Sequence, residues 1–201
     1  MLADSSSILN LKFIGLERLL EDIDTVDQVK NELGKIEVRR IYEVSKEKVD
    51  TLINYLEIIS KQIDKQISIE IEKTEKYSKV YILHPKGKKG KLGIHYGEFY
   101  LLARVVSHPE NVLCDEESIA IISDLLSGIC GVNFRVFNIF EFLYLAFQTK
   151  RLSTLDFIDC IEMLEKKKLL YFRFPAKTRK DKSIIDILIK FMKDLYRGAH
   201  V

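Results

Sequence analysis

The chain has 201 residues, a net charge of +2 from 32 basic and 30 acidic side chains, and a hydrophobic fraction of 47%. This length and composition are typical of one globular domain, with or without an elaboration, and the balanced charge gives no global sign of nucleic-acid binding. No apolar run reaches the length of about eighteen residues that a membrane span needs, so we expect no membrane partner. The opening, MLADSSSILN, lacks a basic leader before an apolar stretch, and we expect no secretory signal.

The number and spacing of the cysteines indicate the cellular compartment. Cys114, Cys130 and Cys160 are far apart and odd in number, a pattern that fits neither a zinc motif nor a disulfide framework. Each has apolar neighbours in the sequence. We therefore expect buried structural thiols and a cytoplasmic protein.

Hydrophobic periodicity and capping residues predict short elements of alternating type. In the first half we predict a strand at 1–3, helices after Asp4 and at 16–23, a helix at 26–33 capped by Asp24 and Thr25, a strand at 36–44, a long amphipathic helix at 46–65, strands at 67–72 and 80–83 that could pair as a hairpin, and a basic loop at 84–95. In the second half we predict a helix at 99–106, a strand at 111–114, a helix at 119–126 ended by Ser127 and Gly128, a strand at 134–137, a helix at 139–148 capped by Asn138, a helix at 155–168 capped by Ser153 and Thr154, a strand at 169–174 and an amphipathic helix at 184–197. The alternation predicts an α/β sandwich with a largely parallel sheet, elaborated at about 37–93 by an inserted helix and hairpin and extended by a C-terminal helix at about 177–201.

Acidic residues stand at the ends of several predicted elements. Glu98 follows Gly97 at the start of a helix, and Asp115 and Glu116 follow the apolar run at 111–114, which is typical of a buried parallel strand. Ligands of open α/β sheets bind outside the carboxyl ends of the strands. We therefore expect these acids to share one sheet edge with Asp4, which follows the first strand.

Two of the candidate acids also have simpler interpretations. Asp4 suits the N-cap of the helix that follows it. Glu32 lies near the carboxyl end of a helix, where the macrodipole disfavours a carboxylate, and taken alone it is best interpreted as a solvated surface acid.

Clustered carboxylates repel one another unless a cation neutralises them, and Mg²⁺ and Mn²⁺ prefer oxygen ligands. Such a centre can lower the pKa of a water molecule and orient it for in-line attack on a phosphodiester. Motifs of other chemistries are absent: the sequence has no P-loop, no GxGxxG and no GxSxG, and its four histidines, His84, His95, His108 and His200, lack metal-ligand spacing.

The stretch 84–95, HPKGKKGKLGIH, contains four lysines, three glycines and no acid. Its plainest interpretation is a solvated mobile loop. The functional alternative is an arm that contacts nucleic-acid phosphates through Lys86, Lys88, Lys89 and Lys91.

The order of these motifs resembles that of PIN-domain nucleases. LADSSSILNLKFIGLERLL resembles the family's opening of strand, Asp, small polar residues and apolar helix, and VKNEL at 29–33 resembles its second acidic motif. Gly97-Glu98 before an apolar helix is similar to the third motif, and VLCDE at 112–116 is similar to the fourth. The sequence at 137–152 is similar to the family's tail. The resemblance covers about 1–33 and 95–161.

The resemblance implies a Rossmann-like α/β/α sandwich and a metal-dependent endoribonuclease that hydrolyses RNA. Mg²⁺ or Mn²⁺ would be held by Asp4, Glu32, Glu98 and either Asp115 or Glu116, with Ser6 as the small polar helper beside the metal. Because many small PIN proteins are toxins with an antitoxin, and many dimerise, an antitoxin-like protein and a second copy are further implied partners. The span between Glu32 and Glu98 is longer than in compact members of the family.

Two other hypotheses stay open. A catalytically inactive PIN-like module would bind RNA or a protein partner, with the helices at 139–148 and 184–197 as candidate surfaces. An unrelated Rossmann-like domain of the receiver type would also carry an Asp at the end of its first strand. No lysine near the last strand occupies an obvious receiver position, which counts against the receiver-type domain.

Overall fold

The computed structural model describes residues 1–62, 69–73, 78–83 and 91–167. Its contacts divide the chain into two units, Met1–Val136 and Phe137–Val201. The predicted strand at 169–174, the helix at 184–197 and the extension at 177–201 lie outside the described residues, as do Lys86, Lys88 and Lys89.

The elements of the described residues largely follow the predicted alternation, with two strands, at 24–26 and 91–94, that were not predicted. In chain order they are β1 (Leu2–Ala3), α1 (Ser5–Phe13), a 3-10 helix (Glu17–Asp22), β2 (Asp24–Val26), α2 (Asp27–Leu33), β3 (Arg40–Tyr42), α3 (Lys46–Gln62), β4 (Ile69–Lys73), β5 (Ser78–Leu83), β6 (Lys91–Ile94), α4 (Tyr96–Ser107), β7 (Val112–Leu113), α5 (Glu117–Cys130), β8 (Val136–Phe137), α6 (Ile139–Gln148) and α7 (Thr154–Lys166).

Five of these strands form a parallel sheet in the order β3-β2-β1-β7-β8, which confirms the α/β class and the parallel sheet. Leu2 of β1 pairs with Asp24 on one side and with Val112 on the other. From β1 the chain adds β2 and β3 on one side of the sheet, and it later adds β7 and β8 on the other side. The order of the strands therefore changes direction between β1 and β7. Such a switch point opens a crevice outside the carboxyl ends of the two strands.

A second sheet is formed by β4, β5 and β6, and all its pairings are antiparallel. The predicted hairpin therefore exists. The basic loop predicted through residue 95 was wrong at its end, because Lys91 already begins β6, which pairs with β5. Ile94 is buried at the end of this strand. The pairing satisfies backbone groups that a loop would leave to water.

The helix predicted from residue 26, with Asp24 and Thr25 as its caps, was wrong at its start. Residues 24–26 form β2, a central strand, and α2 begins at Asp27. Asp24 and Thr25 are fully buried, and the Thr25 hydroxyl donates a hydrogen bond of 2.8 Å to the Ala3 carbonyl. Cross-strand contacts have overridden the local preference of both residues for a helix start.

The helix after β7 also differs from its prediction. α5 passes through Ser127 and Gly128 and ends at Gly131, whose φ of +69° places it in the left-handed region. Glycine adopts this conformation without the penalty that a Cβ brings, so Gly131 stops the helix where Gly128 does not.

The core of the first unit lies between the parallel sheet and the apolar faces of its helices. Its largest fully buried side chains include Leu2, Ile8, Leu56, Phe99 and Leu101. The buried residues Leu52, Leu56 and Ile59 share one face of α3, which confirms that this helix is amphipathic as predicted.

The second unit begins with α6, whose bounds agree with the prediction. Asn138 is its N-cap, with the side-chain oxygen accepting a hydrogen bond of 2.7 Å from the Glu141 N–H. Phe157 of α7 packs against Phe140 and Phe147 of α6, with ring centroids 6.1 and 5.2 Å apart. Within the part of the chain that the structure describes, no helix has both the length and the apolarity needed to cross a membrane.

Candidate metal centre

The site begins where β1 gives way to α1. Asp4 is the N-cap of α1, as predicted, and one of its carboxylate oxygens accepts a hydrogen bond of 2.8 Å from the Ser7 N–H. The other oxygen accepts from the Ser6 hydroxyl at 2.8 Å and from the Cys114 thiol at 3.1 Å. The capping function holds the carboxylate at the carboxyl end of β1, and only 1% of the residue is exposed.

Glu98 approaches from the first turn of α4. Its Oε2 accepts a hydrogen bond of 2.9 Å from the His95 N–H, as in the reciprocal arrangement of a capping box. Although capping glutamates are usually solvated, Glu98 is only 7% exposed. Ligand atoms of Asp4, Glu98 and Cys114 all lie within 4.8 Å of one another.

The pKa of Glu98 is raised to about 8, chiefly by burial and also by the negative charges of Asp4, Glu116 and Glu32, while the hydrogen bond from the His95 N–H opposes the rise. In the described residues no ion pair with a Lys, Arg or His side chain reaches Asp4 or Glu98. Two carboxylates are thus buried together, and the described part of the chain places no cationic side chain against them. Such a pair can hold a proton or bind an external cation.

Glu32 connects two of the helices that carry the site. Its Oε2 accepts a hydrogen bond of 2.7 Å from the Ser5 hydroxyl on α1, and its Oε1 accepts one of 3.0 Å from the Gly97 N–H on α4. The residue is exposed, but its carboxylate is fixed at the N-termini of two helices, where the macrodipoles stabilise negative charge.

Gly97 is a glycine because of this contact. A Cβ built at position 97 would lie 2.8 Å from Glu32 Oε1 and 2.9 Å from Val29 Cγ2. Both distances are too short for a carbon atom. The Gly-Glu pair of the sequence therefore has two functions, since Gly97 admits the Glu32 carboxylate and Glu98 supplies one of its own.

The end of β7 carries the acids of the fourth motif. Glu116 is exposed at the rim, and its charge acts on Glu98. Asp115 accepts a weak hydrogen bond of 3.4 Å from the Asn10 side chain of α1. Of the candidate site residues, Asp4, Ser6 and Glu98 lie together, Glu32 and Glu116 lie near enough to influence Glu98, and Asp115 faces Asn10.

Cys114 is the member of the cluster that sequence reasoning did not select. It was expected to be a buried thiol, and it is fully buried. Burial raises the pKa of the Cys114 thiol well above its usual range, and the charges of Asp4 and Glu98 contribute. The sequence signal that could have selected Cys114 as a site residue is its place at the carboxyl end of β7, directly before Asp115. Ser5 was missed as well, because nothing local distinguishes it from Ser6.

No protein-family model, curated protein or solved structure matches this chain.

Proposed function

We propose that the protein is a metal-dependent endoribonuclease of the PIN type, with Asp4 and Glu98 as the inner carboxylates of a site for Mg²⁺ or Mn²⁺. One observation carries the proposal: two buried carboxylates meet at the switch point of a parallel sheet, and no cation from the described residues balances them. Carboxylate oxygens are the donors that these hard cations prefer, so the residues fit the metal.

The chain's own groups prepare the site. Ser6 and Ser7 fix the Asp4 carboxylate, and the His95 N–H fixes that of Glu98. Burial keeps bulk water from competing for both groups, which strengthens their attraction for a cation. When bound, such a cation supplies a Lewis acid and a water of lowered pKa for attack on a phosphodiester.

The choice of RNA as substrate comes from the PIN resemblance, together with Lys86, Lys88, Lys89 and Lys91 in the sequence between β5 and α4. Lysines on one segment attract phosphates without reading a base sequence. The same resemblance extends the proposal to an antitoxin-like protein partner and to a homodimer.

The test is cleavage of a labelled single-stranded RNA and of a DNA of the same sequence, with Mn²⁺ or Mg²⁺ and with chelator. We expect the wild type to cleave RNA only with metal. Asp4→Asn should lose activity by at least about a hundredfold, a factor that equals about 2.7 kcal/mol of transition-state stabilisation. Asparagine is as good an N-cap as aspartate, so α1 stays intact. Asp124→Asn, on the exposed face of α5, is the matched control and should keep full activity. Full metal-dependent activity in Asp4→Asn would refute the assignment.

A second candidate function, a PIN-like module without catalysis, is favoured by a specific observation. Each of the three acids also has a structural function at a helix N-terminus, Asp4 at α1 and both Glu98 and Glu32 at α4. Such a module would bind a partner through apolar side chains like Tyr144 and Leu145, which are exposed on α6. Capping alone does not require Glu98 to be buried beside Asp4, and for that reason we place the nuclease first.

A further inference from the structure

The third buried donor of the metal centre is a sulfur atom. Cys114 Sγ donates a hydrogen bond of 3.1 Å to Asp4 Oδ2, and it belongs with Asp4 and Glu98 to the group whose ligand atoms lie within 4.8 Å of one another. All three residues are buried, whereas Glu32 and Glu116 stand at the exposed rim. The inner donor set of the site is therefore two oxygens and one sulfur.

This donor set differs in chemistry from a cluster of carboxylates. Mg²⁺ is a hard cation that binds oxygen and retains its waters, whereas thiolate sulfur is soft and selects Zn²⁺ and other thiophilic cations. Compared with three carboxylates, a set of two carboxylates and one thiolate binds Mg²⁺ less well. It binds cations that accept both oxygen and sulfur donors more tightly.

We propose that Cys114 is a direct metal ligand and that it makes the centre select Zn²⁺ first, Mn²⁺ second and Mg²⁺ last. The inference rests on the proposed function, because it assigns a further ligand to the same site. The hydrogen bond already directs the sulfur at the Asp4 carboxylate, and a cation takes the place of the shared proton. A metal–sulfur bond forms, the S–H bond breaks, and the proton leaves to solvent.

The chain provides its own control thiols. Cys130 and Cys160 are the other two cysteines, and neither belongs to the group of described ligand residues around Asp4. Cys130 Sγ lies 4.0 Å from the Tyr55 carbonyl oxygen. Serine at either position removes a thiol that is not one of the three donors of the centre.

The experiment titrates the full chain with Co²⁺, a spectroscopic substitute for Zn²⁺, and records calorimetry and near-ultraviolet absorption together. The wild type, Cys130→Ser and Cys160→Ser should bind Co²⁺ with a sulfur-to-cobalt charge-transfer band. Cys114→Ser should lose the band, and its preference for Zn²⁺ over Mg²⁺ should fall at least about tenfold, a change of about 1.4 kcal/mol. Asp4→Asn should not bind.

The outcomes separate this inference from the proposed function. Absence of Co²⁺ binding by the wild type would overturn both. Binding without the charge-transfer band, or with a band that survives in Cys114→Ser, would overturn the thiolate ligand and leave the carboxylate centre standing. If Cys114→Ser fails to fold, X-ray absorption of the Zn²⁺-loaded wild type decides the question. A sulfur neighbour at about 2.3 Å supports the proposal, and a shell of oxygen and nitrogen alone refutes it.

Discussion

Two buried acids near opposite ends of the parallel strands, Asp24 and Glu98, have pKa values that are shifted in opposite directions. Asp24, at the start of β2, is fully buried and forms two hydrogen bonds with the Arg39 guanidinium, the first 2.8 Å from Nε to Oδ1. Burial alone would raise the pKa of Asp24, but the hydrogen bond and charge of Arg39 outweigh burial and hold it below its usual value. Glu98, beside the carboxyl end of β1, has no such partner in the described residues, and its pKa is raised to about 8.

The comparison separates a structural acid from a candidate functional one. At Asp24 the chain supplies its own cation, so nothing further has to bind. At Asp4 and Glu98 the described residues supply helix N–H groups and a thiol instead, and no Lys, Arg or His side chain among them pairs with either acid. A buried carboxylate pair that has no fixed cationic partner is available to an external cation, and the second arrangement is therefore compatible with a metal centre.

The largest expected effect is the pH dependence of stability in the metal-free protein. Folded Glu98 holds its proton up to a pKa of about 8, against 4.5 for the unfolded chain. The contribution of protonated Glu98 to the free energy of unfolding is therefore fully present below pH 4.5, and it is lost as the pH rises through about 8. The whole loss is on the order of 3–5 kcal/mol in the free energy of unfolding, since one pKa unit equals about 1.4 kcal/mol.

Urea denaturation with chelator, from pH 5 to pH 9, measures this slope. Glu98→Gln should flatten the curve, because glutamine is neutral throughout. A wild-type curve as flat as that of Glu98→Gln would mean that the Glu98 carboxylate is solvated or already paired.

The next effect compares the same substitution at both ends of the sheet. Asp24→Asn removes the charge that receives Arg39 and should lower the free energy of unfolding by about 1.5–3 kcal/mol, the usual value of a hydrogen bond to a charged group. Asp4→Asn keeps its cap and breaks no ion pair among the described residues, so metal-free stability should stay within about 0.5 kcal/mol. Urea denaturation at pH 7 measures both changes, and equal losses would erase the distinction between the two acids.

How far the sequence predicts these two ends depends on the range of the contacts. The positions of Asp4 and Glu98 at helix N-termini, and most of the alternation of strands and helices, could be predicted from the sequence. Capping residues and hydrophobic periodicity are local signals. The identity of β2 could not, since Asp24 and Thr25 look like helix caps until Arg39 and the Ala3 carbonyl are placed beside them. Cys114 was predicted as buried, but its neighbour Asp4 is 110 positions away in the sequence.

The smallest effect concerns the connection between α1 and α4. Gly97→Ala would push the Glu32 carboxylate and Val29 away and should cost about 1–2 kcal/mol in the free energy of unfolding, as overpacking does. Gly128→Ala, in α5, is the matched control. Among the described residues, no atom outside the adjoining backbone of α5 lies within 4 Å of its added Cβ. The higher helix propensity of alanine should therefore stabilise the chain by up to about 1 kcal/mol.

Thermal denaturation of the two alanine variants, followed by metal titration, measures both parts of this prediction. Gly97→Ala should also weaken Mn²⁺ binding, because α4 carries Glu98. If both glycines respond alike, Glu32 does not hold α4 against α1.

The central claim is that Asp4 and Glu98 form a cation site that Asp24 and Arg39 do not need. Calorimetric titration with Mn²⁺ of the wild type, Asp4→Asn and Asp24→Asn tests it directly. We predict one class of site in the wild type, the same site in Asp24→Asn, and its loss in Asp4→Asn. Wild-type protein that binds no Mn²⁺ at millimolar concentration, or an Asp4→Asn variant that binds as tightly as the wild type, would contradict the account.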